Sequence, residues 1–162
     1  MVNYICAALL LLLLTRCQQE TSIEPGQFEE AGIEADGVQF GQEITLPELG
    51  QVTLYGEDVP RKLYLSARKI TDSRCPEDVT CITYGAASIV LSASNSQGKN
   101  EDIQLCIGSC DNGFRSIDSV TAVVGETLYS FSLIDVTPFP ERSKAGVRKK
   151  AKLLVEKIGT SL

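Results

Sequence analysis

Eight stretches of this chain place apolar residues at every second position, the pattern of a β-strand with one face against a core. Leu63, Leu65 and Ala67 alternate with Tyr64, Ser66 and Arg68; Ile89, Leu91 and Ala93 with Ser88, Val90 and Ser92; Ile103, Leu105 and Ile107 with Asp102, Gln104 and Cys106. Val120, Ala122 and Val124 lead through Gly125 into Tyr129, Phe131 and Leu133, while Ile44 with Leu46 and Val52 with Leu54 flank a Pro47 to Gly50 turn. Turn signals such as Asn95-Ser96-Gln97-Gly98 separate the runs. The spacing predicts an all-β domain, an antiparallel β-sandwich or barrel-like fold of about eight strands. The eighth run, Val147 to Ile158, fits a strand with Ala151, Leu153 and Val155 on one face, or a helix aligning Val147, Ala151, Leu154 and Ile158. A strand is favoured, because a lone short helix is marginal in water.

The alternation starts only beyond Gly37. Before it, Ile5 to Leu14 is an unbroken apolar run ending in six leucines, too short to span a bilayer but matching the apolar region of a secretory signal. From Gln18 to Pro60 there is no Lys or Arg, and the part up to Asp36 combines acidic residues with Pro25, Gly26 and Gly32 and shows no apolar period. It reads as a flexible tether, reaching a few nanometres at about 5 to 6 Å times the square root of residue number. The expected organisation is a signal peptide over 1–16, an acidic tether over 17–36 and a β-domain over 37–162. About 125 domain residues suffice to bury roughly two-thirds of the unfolded surface in one core. No internal repeat suggests a solenoid or propeller.

Charge and composition exclude several chemistries. The formal charge is 15 − 21 = −6, which disfavours generic nucleic-acid binding. With no His, triads built on that residue are impossible, as is His-assisted metal binding. Adjacent carboxylates, Glu77 with Asp78 and Glu101 with Asp102, point apart on a strand or turn and do not form a glycosidase dyad. Asp111-Asn112-Gly113 lacks the rest of a calcium loop and reads as a turn. No cofactor is expected. Aromatic candidates for stacking on a ligand are Tyr55, Tyr64, Tyr84, Tyr129, Phe114 and Phe139: Tyr129 is expected in the core, and Tyr84, Phe114 and Phe139, beside Gly or Pro, are expected at the surface. A basic cluster, Arg142, Lys144, Arg148, Lys149, Lys150 and Lys152, reads as a solvated edge strand guarded by lysines, with anionic headgroups or glycans as its functional alternative. Its sign is opposite to that of the acidic N-terminal region, so the two ends are expected side by side.

Leu14-Thr15-Arg16-Cys17 follows the apolar run and resembles the lipobox of bacterial lipoproteins, although Arg16 stands where that motif usually carries Gly, Ala or Ser and no Lys or Arg precedes the run. The resemblance implies that Cys17 is diacylated and becomes the first mature residue. Two acyl chains hold a protein on a membrane, each buried methylene contributing about 0.8 kcal/mol.

With Cys6 in the signal and Cys17 at the anchor, Cys75, Cys81, Cys106 and Cys110 remain. An even set in an exported chain implies disulfides. Four cysteines allow three pairings. Chain entropy assigns about 2.4 kcal/mol to a Cys75–Cys81 bridge and about 3.7 to Cys75–Cys106, so energetics alone favours the longer loop. A zinc site or a redox thiol pair is the alternative, against which stand the missing Cys-x-x-Cys spacing and the oxidising compartment.

Asp72-Ser73-Arg74-Cys75-Pro76, followed by Cys81 and Gly85, resembles a signature of uncharacterised bacterial envelope lipoproteins in which these residues connect two strands. Val136-Thr137-Pro138-Phe139-Pro140 is similar to a segment closing a long strand in the same proteins. The likeness covers roughly residues 62 to 140. It implies a local Cys75–Cys81 bridge, leaving Cys106 with Cys110; where many relatives carry Trp two residues past the second Cys, this chain has Thr83. From the residues alone the motif reads as a stapled loop: Pro76 ends a ladder, Asp72 and Ser73 accept turn hydrogen bonds, and Arg74 pairs with Asp72, Glu77 or Asp78. The expectation is therefore an exported, membrane-anchored envelope lipoprotein, periplasmic or at the cell surface. It would be a non-enzymatic binding or scaffolding module whose partners are the membrane and an envelope protein or glycan. The alternatives are an envelope enzyme using carboxylates, or a metal- or redox-active thiol protein.

Overall fold

The computed structural model describes residues 37–141 and 146–160; the signal peptide, the tether, Cys6, Cys17, Arg142 and Lys144 lie outside them. Every regular element among the described residues is a strand: β1 (Val38–Gln39), β2 (Glu43–Pro47), β3 (Gln51–Tyr55), β4 (Lys62–Asp72), β5 (Ala86–Ser94), β6 (Lys99–Cys110), β7 (Gly113–Arg115), β8 (Asp118–Val124), β9 (Thr127–Thr137) and β10 (Lys150–Thr160). The chain is all-β. The eight alternating runs are eight of these ten strands. The additional pair, β1 and β7, has two and three residues, too few to show a period. The strands form a six-stranded sheet, β1-β3-β4-β5-β6-β7, and a four-stranded one, β2-β10-β9-β8. Pairing is antiparallel except between β1 and β3, where Val38 lies beside Leu54 in a parallel register. That makes the larger sheet mixed, a departure from the expected antiparallel pattern.

Inward residues of both sheets share one core. Leu54, Leu63, Leu65, Ile89, Leu91 and Leu105 come from the first, Ile44, Tyr129, Phe131, Leu133, Leu153 and Val155 from the second. Burying each large side chain stabilises by about 1.5–3 kcal/mol. Tyr129 is in the core, as expected, and its hydroxyl is reached by Asn95 Nδ2 at 3.3 Å. β10 lies between β2 and β9, so it is an interior strand and not the solvated edge expected from its lysines. Lys150 and Lys152 instead stand on its outer side, and Lys152 bridges to Glu43 on β2 at 2.5 Å. Of the two oppositely charged ends, the described residues bring together Glu43–Pro47 and Lys150–Leu154.

Bulges in β4 and β9 set the phase of their inward residues. In β4, Ala67 faces Leu91 and Lys69 faces Val90, so Arg68 is an extra residue. In β9, Ile134 is extra, between Leu133 opposite Leu153 and Asp135 opposite Lys152. Each extra residue moves the inward set by one position. The buried series Leu63, Leu65, Ala67 therefore resumes at Ile70, and Tyr129, Phe131, Leu133 resumes at Val136. The amide that the irregular β4 edge leaves at Ile70 donates to the Glu48 carboxylate at 3.1 Å.

β6 and β8 meet without a backbone ladder. Side chains span the junction: the Cys106 amide donates to Asp118 Oδ2 at 2.9 Å, and Asn100 Nδ2 to the Val123 carbonyl at 3.1 Å.

Candidate functional site

Beyond the bulge, β4 carries Asp72 inward, and the chain turns across its sheet at Ser73. The Ser73 amide donates to the Ala86 carbonyl at 2.8 Å and its hydroxyl to the same oxygen at 3.0 Å. Gly85 sits opposite with φ +74, and a Cβ there would stand 1.9 Å from the Ser73 carbonyl oxygen. Only glycine fits both the backbone conformation and the approach. The Pro76 carbonyl accepts the Val79 amide at 3.3 Å, which curls the loop so that Cys75 and Cys81 bond, with Cα atoms 5.9 Å apart.

Arg74 is buried and pairs with Asp72; of its three expected partners, Asp72 is the one that holds it. Nε and Nη2 bind the two carboxylate oxygens at 2.8 and 2.9 Å, and the Arg74 amide adds a third bond at 3.2 Å. Three contacts had no signal near the motif. Nη2 also donates to the Val136 carbonyl, Asp135 lies 3.5 Å from Nη1, and the guanidinium sits 4.4 Å from the centre of the Phe139 ring. Lys149 reaches in from before β10, donating to Asp72 Oδ2 at 3.0 Å and to the Pro138 carbonyl at 2.7 Å. The two motif segments, Asp72 to Pro76 and Val136 to Pro140, are thus halves of one latch that ties the larger sheet to the smaller.

The charges balance, with Arg74 and Lys149 against Asp72 and Asp135. Burial alone pushes the Asp72 carboxyl up, but hydrogen bonds from Arg74 and Lys149 outweigh it and hold the group below the ordinary carboxylate range. Burial likewise pulls Arg74 down, and Asp72 followed by Asp135 more than reverses this. Asp72, 1% exposed and saturated with donors, has no free lone pair directed at solvent.

The second disulfide shapes the neighbouring hairpin. Cys106 and Cys110 are four residues apart, about 13 Å in an extended strand, yet their Cα atoms are 6.1 Å apart. β6 bends between them at Gly108, φ +92, where a Cβ would stand 2.7 Å from the Gly85 carbonyl oxygen. That same oxygen accepts the Ser109 amide at 2.8 Å. The two stapled loops therefore lock together at one end of the β5–β6 pair, opposite the Asn95 to Gly98 turn. On this tip Tyr84 and Phe114 meet edge to face with ring centres 5.2 Å apart. Both are exposed, and Ile82, two residues before Tyr84 on the same loop, projects fully into solvent.

Tyr84 and Phe114 are at the surface as expected. Phe139 is not free, because it covers Arg74. Thr83 is exposed on the tip. Lys149 is turned inward, which removes it from the expected basic surface; Arg148 and Lys150 remain exposed. Tyr64 is exposed, whereas Tyr55 lies under Lys62 at 5.2 Å. Glu101 bridges to Lys99 at 3.1 Å and Asp102 accepts from Gln104 at 2.7 Å, so these two carboxylates do not converge. Among the described residues no group of three Cys, Asp or Glu is placed to hold a metal. No family model, curated protein or solved structure matches the chain.

Proposed function

We propose that this chain is an envelope lipoprotein, anchored through Cys17, whose β-domain is a non-enzymatic binding or scaffolding module. The observation that carries the reading is the tip: an exposed aromatic and aliphatic patch held on two disulfide-stapled loops, the arrangement of a contact surface on a rigid scaffold. Paired sulfurs accord with an oxidising compartment. The likeness of the Asp72 to Gly85 stretch to envelope lipoproteins supports the same location. Asp72, the carboxylate with a shifted pKa, is closed off and fully donated to, which supports a structural rather than an acid–base role. Envelope fractionation of the full chain, with metabolic labelling by a radioactive fatty acid, tests the anchor. Wild type should carry label and sediment with membranes, while Cys17→Ala should lose label and move to the soluble envelope fraction. Unchanged partition of the variant would overturn the proposal.

A further inference from the structure

We propose that the tip formed by Ile82, Tyr84 and Phe114 docks an extended segment of a partner protein that alternates apolar and basic side chains. The inference rests on the reading of the domain as a binding module and names the chemistry of what it binds. Three independent features point to that occupant.

The first is the backbone. β7 is the last strand of its sheet, and Phe114 pairs with Ser109 across the hairpin. Because the Ser109 amide is directed to Gly85 on the other side, Ser109 and Phe114 form a pair that exchanges no hydrogen bonds with each other. Phe114 must then direct its own N–H and C=O away from β6, to the open edge. An extended strand laid there gains two main-chain hydrogen bonds at the most exposed ring of the patch, as in recognition by strand addition.

The second is apolar area that is already rigid. Tyr84 is fixed by its carbonyl accepting the Cys75 amide at 2.7 Å, and Phe114 lies against it. Binding there costs little ordering of the site. Alternate side chains of an incoming strand point to one side, so one set meets Ile82, Tyr84 and Phe114.

The third is charge. The loop from Cys75 to Gly85 carries the exposed Glu77 and no cation, and the hairpin turn carries the exposed Asp111. Arg115, the cation of β7, is bound to Asp118 at 2.6 Å. Glu77 and Asp111 therefore give the two stapled loops exposed negative charge. It complements Lys or Arg flanking the apolar residues of a ligand and repels an anionic lipid surface.

The test is selection from a library of seven-residue peptides on the full mature chain, followed by affinity measurement on the enriched sequences. Enriched peptides should alternate apolar and basic residues. Their affinity should fall at least tenfold for Phe114→Ser, for Ile82→Ser, and for the charge reversal Glu77→Lys with Asp111→Lys. Raising salt to about 0.5 M should also weaken binding, since screening then acts within a few ångströms. These side chains are exposed, and an unchanged melting temperature with both bridges intact by mass shows that a variant is folded. Failure to enrich peptides, enrichment of acidic ones, or binding indifferent to the tip variants would overturn the proposal. So would Phe114-dependent binding to anionic phospholipid vesicles, which would make the tip a membrane contact. If the tip variants retain the same envelope partner as wild type in a pull-down, the tip proposal falls while the binding-module reading stands.

Discussion

Asp72→Asn replaces an acceptor at the centre of the latch by a group of equal size that accepts at only one atom. Four donors converge on the carboxylate: the Arg74 amide, Nε and Nη2, and Lys149 Nζ. In the amide, one former acceptor becomes a donor facing Nη2 or Nζ, so two charge-assisted bonds are lost, each contributing about 1.5–3 kcal/mol. The Arg74 cation keeps the Val136 carbonyl, the Phe139 ring and the partly exposed Asp135, and Lys149 keeps the Pro138 carbonyl, which offsets part of the loss. The remainder is about 3 kcal/mol, at the lower end of the range for breaking one partner of a buried pair. For a domain of this size that lowers the melting temperature by about 10 to 15 °C. Urea unfolding should show a reduced midpoint with an unchanged slope. Arg74→Met removes the stranded cation, so Asp72→Asn combined with Arg74→Met should lose at least about 1.5 kcal/mol less than the two single changes together. A single-mutant loss below about 1 kcal/mol, or additivity within about 0.5, would refute the reasoning that the pair is one unit.

Further outcomes follow from the same geometry. Because the folded Asp72 pKa lies below its unfolded value, its contribution is complete above an unfolded pKa of about 3.9 and is lost as pH falls through the folded value. Urea midpoints of wild type should therefore decline below about pH 4 more steeply than those of Asp72→Asn, and parallel profiles would contradict this. Gly85→Ala should cost more than about 2 kcal/mol, since the new methyl meets the Ser73 carbonyl and φ is positive. Gly159→Ala, with open space around it, should change the melting temperature by less than about 2 °C. Intact mass before and after reduction should differ by four hydrogens in the mature domain, and reduction should lower stability by about 4 kcal/mol, from roughly 2.4 for the seven-residue loop and 2.1 for the five-residue one. Free thiols in the native protein would refute the pairing.

Much of the fold was legible because burial on one face leaves a local trace. Leu63, Leu65 and Ala67, or Ile103, Leu105 and Ile107, announce their strands without reference to anything distant. What escaped is what depends on partners far along the chain. Lys149 lies 77 positions from the carboxylate it binds, and nothing around either residue marks the pairing. Phe139 read as a surface ring because its neighbours are prolines, yet the cation it covers comes from the other sheet. The bulges did leave a signal. Ala67 to Ile70 and Leu133 to Val136 are apolar spacings of three inside series of two, and such a break in step marks an inserted residue. Of the tip, Tyr84 and Phe114 are marked by their glycines, whereas Ile82 has no such neighbour and its exposure depends on how the stapled loop is folded.

The extra residue at Arg68 gives β4 something like a reading frame. Were Arg68 paired like its neighbours, the inward positions after Ala67 would be Lys69, Thr71 and Ser73, and Asp72 with Arg74 would face water. Deleting Arg68 would straighten the strand and leave Ile70 and Asp72 inward, whereas deleting a residue beyond Ile70 would turn the rest of the strand over. A single-residue loss is therefore tolerable at the bulge but not between Ile70 and Arg74, where it would turn the pair toward water and leave the two sheets without their clasp.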